Sequence, residues 1–201
     1  MNEICIVGHG PSLKGSKLGS EIDKYPVVRM KMSRNLQKDN YGDMGKRTDY
    51  AGSTTVVIME VIKQYPQAQE YWAYIKAKHP PSLIGKDERD EMIKEKLNND
   101  WKKYDVLKKL RLFEDVHWKW LPEYYRLRGN DDVRYSTGVG MLIIALEHLK
   151  PKKINLAFFD AVMNPENAEW KGMLSNKKYD WSNPPHDFRS ENKFIKQVID
   201  H

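Results

Sequence analysis

The segment Ile4 to Leu13, ICIVGHGPSL, constrains the fold more than any other part of the chain, because its apolar run stops at glycine and proline. Such a run near the start of a chain predicts a buried strand, the first strand of a doubly wound parallel sheet. Glycines after the strand let backbone N–H groups approach a phosphate with no Cβ in the way. The segment therefore indicates a nucleotide site, although a tight turn without a ligand is the simpler interpretation of a lone Gly-x-Gly.

The composition suits one domain, and we expect residues 1–201 to form it without help from metals or disulfides. A net charge of +6 favours anionic partners such as nucleotides, nucleic acid or anionic surfaces, but many solvated proteins carry similar charge. The single cysteine, Cys5, excludes an internal disulfide. No membrane-spanning run or signal peptide is visible, so we expect a cytoplasmic protein without an integral membrane segment.

Two later segments continue the α/β pattern. Val27 to Met32 alternates as a second strand, with Arg29 and Lys31 on one face. Residues 41–48 predict a glycine-containing turn, and residues 55–61 predict a third strand or the start of a helix.

The middle of the chain, from about 65 to 130, is rich in lysine, arginine, tryptophan and tyrosine, and predicts a basic, aromatic-rich helical segment at the periphery. Aromatic side chains beside cations suit stacking on bases or sugars. The simpler interpretation is that the aromatic rings pack against the sheet while the lysines stay in water.

The core pattern returns after this segment. Ser136-Thr137-Gly138 precedes an apolar helical run over 139–149, Pro151 ends that run, and residues 153–159 predict a buried strand. A Ser-Thr-Gly at a helix start offers backbone N–H groups, hydroxyls and the positive end of the helix dipole to an anion. An ordinary N-cap is the simpler role for these residues.

Three segments together resemble the motifs of the family 29 sialyltransferases. Residues 5–48 resemble the large sialylmotif, with the glycine loop, Gly-x-x-Ile-Asp, Val-x-Arg-Met and Asp-x-Gly-x-Arg-Thr in the family's order and spacing. Residues 135–159 are similar to the small sialylmotif, a Ser-Thr-Gly helix followed by a strand. His186 and Glu191 fit the very-small motif, His-x4-Glu.

The resemblance implies a single-domain Rossmann-like sheet flanked by helices, a sialyltransferase-like variant of the nucleotide-sugar glycosyltransferase folds. It also implies an inverting, metal-independent transferase that needs no cofactor besides its nucleotide-sugar substrate. His186 is the implied general base, since an imidazole titrates near working pH, and Glu191 orients it directly or through the helix start. The implied donor-binding residues are Gly8, His9, Gly10, Ser12, Arg29, Lys31, Ser136, Thr137 and Gly138.

The chain departs from the family pattern at three positions, two of them among these donor-binding residues. His9 and Lys31 replace asparagines, and both changes add a potentially cationic group near a phosphate. They favour a diphosphate donor, such as a uridine diphosphate sugar, over a cytidine monophosphate sialic acid. Lys178 replaces a histidine of the third motif and is expected to neutralise the leaving phosphate. The family also links two motif cysteines, and Cys5 has no partner, which agrees with a cytosolic enzyme.

The acceptor remains open among different classes of molecule. The charge, the lack of a membrane anchor and the altered donor residues favour a hydroxymethylated pyrimidine in DNA, flipped out of the duplex, as in bacteriophage DNA modification. A glycan or a lipid-linked oligosaccharide is the alternative expected of a sialyltransferase-like enzyme. A nucleotide- or nucleic-acid-binding module without catalysis is the third possibility, because fold alone does not establish activity.

Overall fold

The computed structural model describes residues 1–31, 41–54, 57–74, 108–113, 136–163 and 188–199. Its centre is a six-stranded sheet with the order β5-β4-β3-β2-β1-β6, in which neighbouring strands run parallel. The strands are β1 (Glu3–Val7), β2 (Val27–Met30), β3 (Tyr50–Thr54), β4 (Glu70–Tyr74), β5 (Leu110–Phe113) and β6 (Lys153–Ala157).

Helices connect and cover these strands. They are α1 (Gly19–Ile22), α2 (Tyr41–Met44), α3 (Ile58–Gln64), α4 (Thr137–Ile144), α5 (Asp160–Met163) and α6 (Phe188–Ile199), with a 3-10 turn at Pro11–Leu13. Helix α4 continues as a π-helical turn over Ala145–Leu149. The turn ends at Lys150, whose φ of 47° reverses the chain just before Pro151.

Alternating side chains of the inner strands fill a core on each face of the sheet. On one face, the even-numbered residues of β1 and β2, such as Ile4, Ile6 and Val28, pack against the apolar helix α4. On the other face, Cys5 and Val7 pack with α1 and α2. Both faces are apolar because helices cover both, as in doubly wound folds.

The α/β prediction is confirmed, and the first, second and last predicted strands lie where the sequence placed them. The third strand, β3, precedes the segment 55–61. Of the two alternatives for that segment, the start of a helix is correct, since α3 begins at Ile58. The helical, peripheral prediction for residues 65–130 is wrong at β4 and β5. Tyr71 and Trp72 of β4 are fully buried in the sheet, where aromatic residues fit well, so the surrounding charge was a misleading signal. Residues 75–107 and 114–130 lie outside the described residues.

Candidate active site at the carboxyl edge of the sheet

The strand order places a topological switch point between β1 and β6. The chain progresses from β1 through β5 in one direction, and β6 then returns to the other side of β1. Open parallel sheets bind ligands outside the carboxyl ends of the strands at such a point. The loops that leave β1 and β6 here are residues 8–12 and 158–160, and both are described.

The glycine loop after β1 packs directly on the loop after β6. The N–H of Gly8 donates to the Ala157 carbonyl at 2.7 Å, and the N–H of Gly10 donates to the Phe158 carbonyl at 2.8 Å. A Cβ at either glycine would overlap the Phe158 carbonyl oxygen. The two glycines are therefore needed for close backbone approach, and their N–H groups bind protein carbonyls rather than an incoming phosphate.

Asp160 fixes the far end of the same loop. Its Oδ2 accepts the Ser12 N–H at 2.7 Å, and a Cβ on Gly10 would overlap that oxygen. Phe158 has a φ of 61°, a left-handed conformation that is uncommon for a bulky residue and turns the chain sharply after β6. No motif predicted a role for Asp160, since its partners lie 148 positions earlier in the chain.

Phe159 joins the glycine loop to the start of α4. A Cβ on Gly8 would lie 3.0 Å from Cδ2 of the Phe159 ring, and one on Gly138 would lie 2.7 Å from Cε1. These two ring carbons are opposite each other, so the ring separates the two glycines. The structure therefore brings two predicted donor-binding segments, 8–12 and 136–138, to one place.

The start of α4 is held by a buried carboxylate from α6. Glu191 is fully buried, and its two oxygens accept the Ser136 N–H at 2.5 Å and the Ser136 hydroxyl at 2.7 Å. The Ser136 hydroxyl oxygen in turn accepts the Val139 N–H at 3.4 Å as the N-cap of the helix. A carboxylate at a helix N-terminus is favoured by the helix dipole. Glu191 thus fixes the start of α4, and its expected role in orienting His186 stays a prediction, because His186 lies outside the described residues.

The two basic replacements, His9 and Lys31, lie in different surroundings. Burial, together with the nearby charge of Arg29, lowers the pKa of His9 to about 4, so its imidazole is neutral at pH 7. Lys31 forms an ion pair with Glu60 of α3. The expectation of an added cation therefore loses support at His9, whereas Lys31 is partly exposed and paired with Glu60, so the preference for a diphosphate donor rests on Lys31 alone.

Arg29 is buried and binds backbone of the segment after α2. Its Nε donates to the Arg47 carbonyl at 2.8 Å and to the Thr48 hydroxyl at 3.1 Å, while Nη2 donates to the Met44 carbonyl at 2.8 Å. Its carboxylate neighbour, Asp23, lies 3.9 Å from Nη2. Arg29 therefore joins β2 to residues 44–48, and its expected role in supporting the donor site stays a prediction.

The carboxylates of Asp23, Asp43 and Asp49 hold the backbone of two segments, residues 14–18 and 41–49, which we call the acid-locked loops. Asp43 accepts the N–H groups of Gly15 and Lys17, both at 2.8 Å. Asp23 and Asp49 bind residues 46–47, and the carboxylate of Asp49 also accepts the Val27 N–H at 2.8 Å. Much of the segment that resembles the large sialylmotif thus holds its own backbone.

A family model described as "Glycosyltransferase family 29 (sialyltransferase)" matches residues 2–201. The chain belongs to this family. The resemblance to this family is thereby confirmed, while the three motif assignments stay predictions. The family takes its sugars from nucleotide donors and passes them to glycan acceptors.

Solved structures place this family 29 protein among sialyltransferase folds. The crystal structure of a mammalian sialyltransferase is similar over 99% of this chain and 66% of its own, with a TM-score of 0.58 and 18% identity. A mutant of the alpha-2,3/8-sialyltransferase CstII is similar over 99% of this chain and 77% of its own, with a TM-score of 0.56 and 17% identity. The protein thus spans less than two thirds of the mammalian enzyme's length. Comparison with curated proteins gives no match.

Two predicted catalytic residues, His186 and Lys178, lie outside the described residues. Among the residues that the structure does describe, no three His, Cys, Asp or Glu side chains form a group suited to a metal ion. Within that same part of the chain, no helix is both long enough and apolar enough to cross a bilayer.

Proposed function

We propose that this family 29 protein is an inverting, metal-independent glycosyltransferase that moves a sugar from a nucleotide donor to the hydroxyl of an acceptor. One observation carries the proposal: Gly8 and Gly138, from two different motifs, pack on the same ring of Phe159 at the switch point of the sheet. The donor then lies over residues 8–12 and the start of α4. Thr137 and Gly138 belong to the first turn of that helix, where N–H groups and the dipole favour a phosphate.

The chemistry assigned to this site is a single displacement at the anomeric carbon. His186 takes the proton of the acceptor hydroxyl as the oxygen attacks, the bond from sugar to phosphate breaks, and the nucleotide leaves with that electron pair. Lys178 neutralises the phosphate as it leaves. Glu191 is a positioning residue in this scheme, because it fixes Ser136 and so the direction in which α4 presents its first turn.

The acceptor we propose first is a glycan, because family membership favours it and the neutral His9 weakens one ground for a DNA acceptor. A hydroxymethylated pyrimidine in DNA is the second candidate, and the net charge of +6 is the observation that favours it. A lipid-linked oligosaccharide belongs with the first candidate. A cytoplasmic location is proposed with either.

The experiment is a matrix of nucleotide sugars against acceptors, read by product mass. Cytidine monophosphate and uridine diphosphate sugars are offered with simple glycans, a lipid-linked oligosaccharide and duplex DNA that contains hydroxymethylcytosine. Addition of one sugar mass to a glycan supports the first candidate, and addition to DNA supports the second. Thermal stabilisation by nucleotides without transfer to any acceptor contradicts the enzyme proposal and favours a binding module.

Replacement of His186 by alanine tests the mechanism. Loss of the general base lowers kcat by about 10²- to 10⁴-fold while donor affinity, measured by calorimetry, stays the same. His148 is a matched control, because it lies at the far end of α4's π-turn and pairs with Glu70 at 3.0 Å. Equal rates for the His186→Ala and His148→Ala variants contradict the assignment of the base.

A further inference from the structure

Two buried polar atoms near the switch point lack partners. Within the described residues, neither Nη1 of Arg29 nor Nε2 of His9 has a hydrogen-bond partner, although both atoms are buried. Arg29 is 2% exposed, and its Nε and Nη2 are occupied by the segment 44–48. Buried polar groups are almost always paired with protein or ordered water, so two orphans in one region call for an explanation.

Arg29 lies on the same face of the sheet as Cys5 and Val7, and His9 lies just beyond the end of β1. Arg29 lies opposite Val7 in the pairing of β1 with β2, and His9 follows Val7 by two residues, with Gly8 between them. The charge of Arg29 reaches the imidazole strongly enough to help lower the pKa of His9. Cys5, on the same face, carries a buried thiol whose pKa burial raises to about 11, so it brings no charge at pH 7.

The two orphan atoms are chemically complementary. Nη1 of a guanidinium can only donate, whereas Nε2 of a neutral imidazole accepts when the proton is on Nδ1. A water molecule that accepts from Nη1 and donates to Nε2 satisfies both atoms. A protonated His9 would instead place a second donor opposite Arg29, and two cations would share one buried space.

We propose that one buried water bridges Arg29 Nη1 and His9 Nε2, and that this bridge fixes His9 as the neutral Nδ1–H tautomer, which offers its N–H to the phosphate of the nucleotide donor. His9 then donates a hydrogen bond without carrying a charge. It is not the cation that was expected when histidine was found in place of the family's asparagine. Arg29 is the positioning residue, and His9 helps to determine which donor binds. The phosphate-binding half of this inference rests on the proposed function, while the tautomer half does not.

The first test is nuclear magnetic resonance of the wild-type chain with ¹⁵N-labelled histidine, which needs no destabilising variant. Long-range proton–nitrogen spectra distinguish the two tautomers, and a His9→Asn variant assigns the signal. We expect His9 to carry its proton on Nδ1 and to stay neutral from pH 8 down to pH 5. His148 is an internal control for the opposite tautomer, because its Nε2 faces the Glu70 carboxylate and donates to it. A His9 with the proton on Nε2, or one that becomes cationic above pH 5.5, overturns the proposal.

The second test compares donor KM for two variants of His9. Asparagine keeps a neutral N–H donor, whereas leucine removes it, so we expect KM for the nucleotide sugar to be about tenfold higher for His9→Leu than for His9→Asn, with similar kcat. Equal KM values overturn the phosphate contact. A chain with no transfer activity on any donor contradicts the proposed function alone, because the tautomer is measured without substrate.

Discussion

Around α1 and α2, the carboxylates of Asp23, Asp43 and Asp49 bind nearby backbone. At the carboxyl edge of β1 and β6, by contrast, contacts bring together segments that are distant in the sequence. Asp43 and Asp49 illustrate the first region, since both accept backbone N–H groups of neighbouring loops. Gly138 and Glu191 illustrate the second, since each contacts a segment distant in sequence. A motif match alone does not distinguish a residue that supports the fold from one that shapes the site.

The sharpest test of this contrast is the removal of the Glu191 carboxylate. Glu191→Ala leaves the N–H and hydroxyl of Ser136 without their buried acceptor, and we expect a loss of about 3 kcal/mol in the free energy of unfolding. Urea unfolding measures the loss. Glu191→Gln is the matched control, because its amide oxygen keeps one acceptor for Ser136, and it is expected to lose less than half as much. Equal losses for the two variants contradict the capping role.

Next in size is an added methyl group in the glycine loop. In Gly10→Ala the new Cβ overlaps Asp160 Oδ2 and the Phe158 carbonyl, so we expect a loss of about 2 kcal/mol and a higher donor KM. Gly42→Ala is the control, since no atom lies within 4 Å of a Cβ there and the residue is in helix α2. Its stability should change by less than about 1 kcal/mol, in the stabilising direction. If Gly10→Ala is as stable as Gly42→Ala, close packing at Gly10 does not require glycine, and the contrast between the two regions is contradicted.

The sequence predicted the strands and the helix that have a clear apolar pattern, and it missed strands that lack one. Strands β1 and β6 and helix α4 were predicted because each has an apolar pattern with a glycine or proline beside it: Gly8 follows β1, and Pro151 separates α4 from β6. Strand β3, YAGST, was missed, since it has small residues without apolar alternation and is held by its two parallel neighbours. Strand β4 was missed for a different reason: the charged residues around it concealed a strand in which Trp72 is fully buried.

The residues of the candidate site also fall into those that the motifs marked and those whose roles only the fold reveals. The resemblance marked Glu191 and Ser136 as site residues, but it did not predict that they bind each other. The roles of Phe159 and Asp160 were not predicted either, because they depend on which loops the sheet brings together and no local pattern encodes this. The neutral state of His9 likewise follows from burial and from Arg29, and both are known only from the fold.

In the acid-locked loops, a substitution is expected to lower stability without changing donor binding, in contrast to Gly10→Ala. Asp49→Asn weakens the pairing with Arg47, in which carboxylate and guanidinium lie 2.8 Å apart, and we expect a loss of about 1–2 kcal/mol. Because Asp49 supports backbone away from the switch point, kcat and donor KM of the folded variant should equal those of the wild type. Initial rates below the unfolding transition check this. A tenfold change in KM shows instead that the acid-locked loops control the site.

The smallest expected effect is an acid dependence of stability at Asp43. The N–H groups of Lys17 and Gly15 bind its carboxylate and hold its pKa below the usual value. A carboxyl whose pKa is lower in the folded state stabilises the protein above its unfolded pKa of about 4, and this contribution is lost as pH falls through the folded pKa. Urea unfolding from pH 6 to pH 2 should therefore show a shallower acid decline for Asp43→Asn than for the wild type. Identical slopes mean that the loop 15–17 is fastened by something other than the charged form of Asp43, and the contrast between the two regions then rests on Asp23 and Asp49.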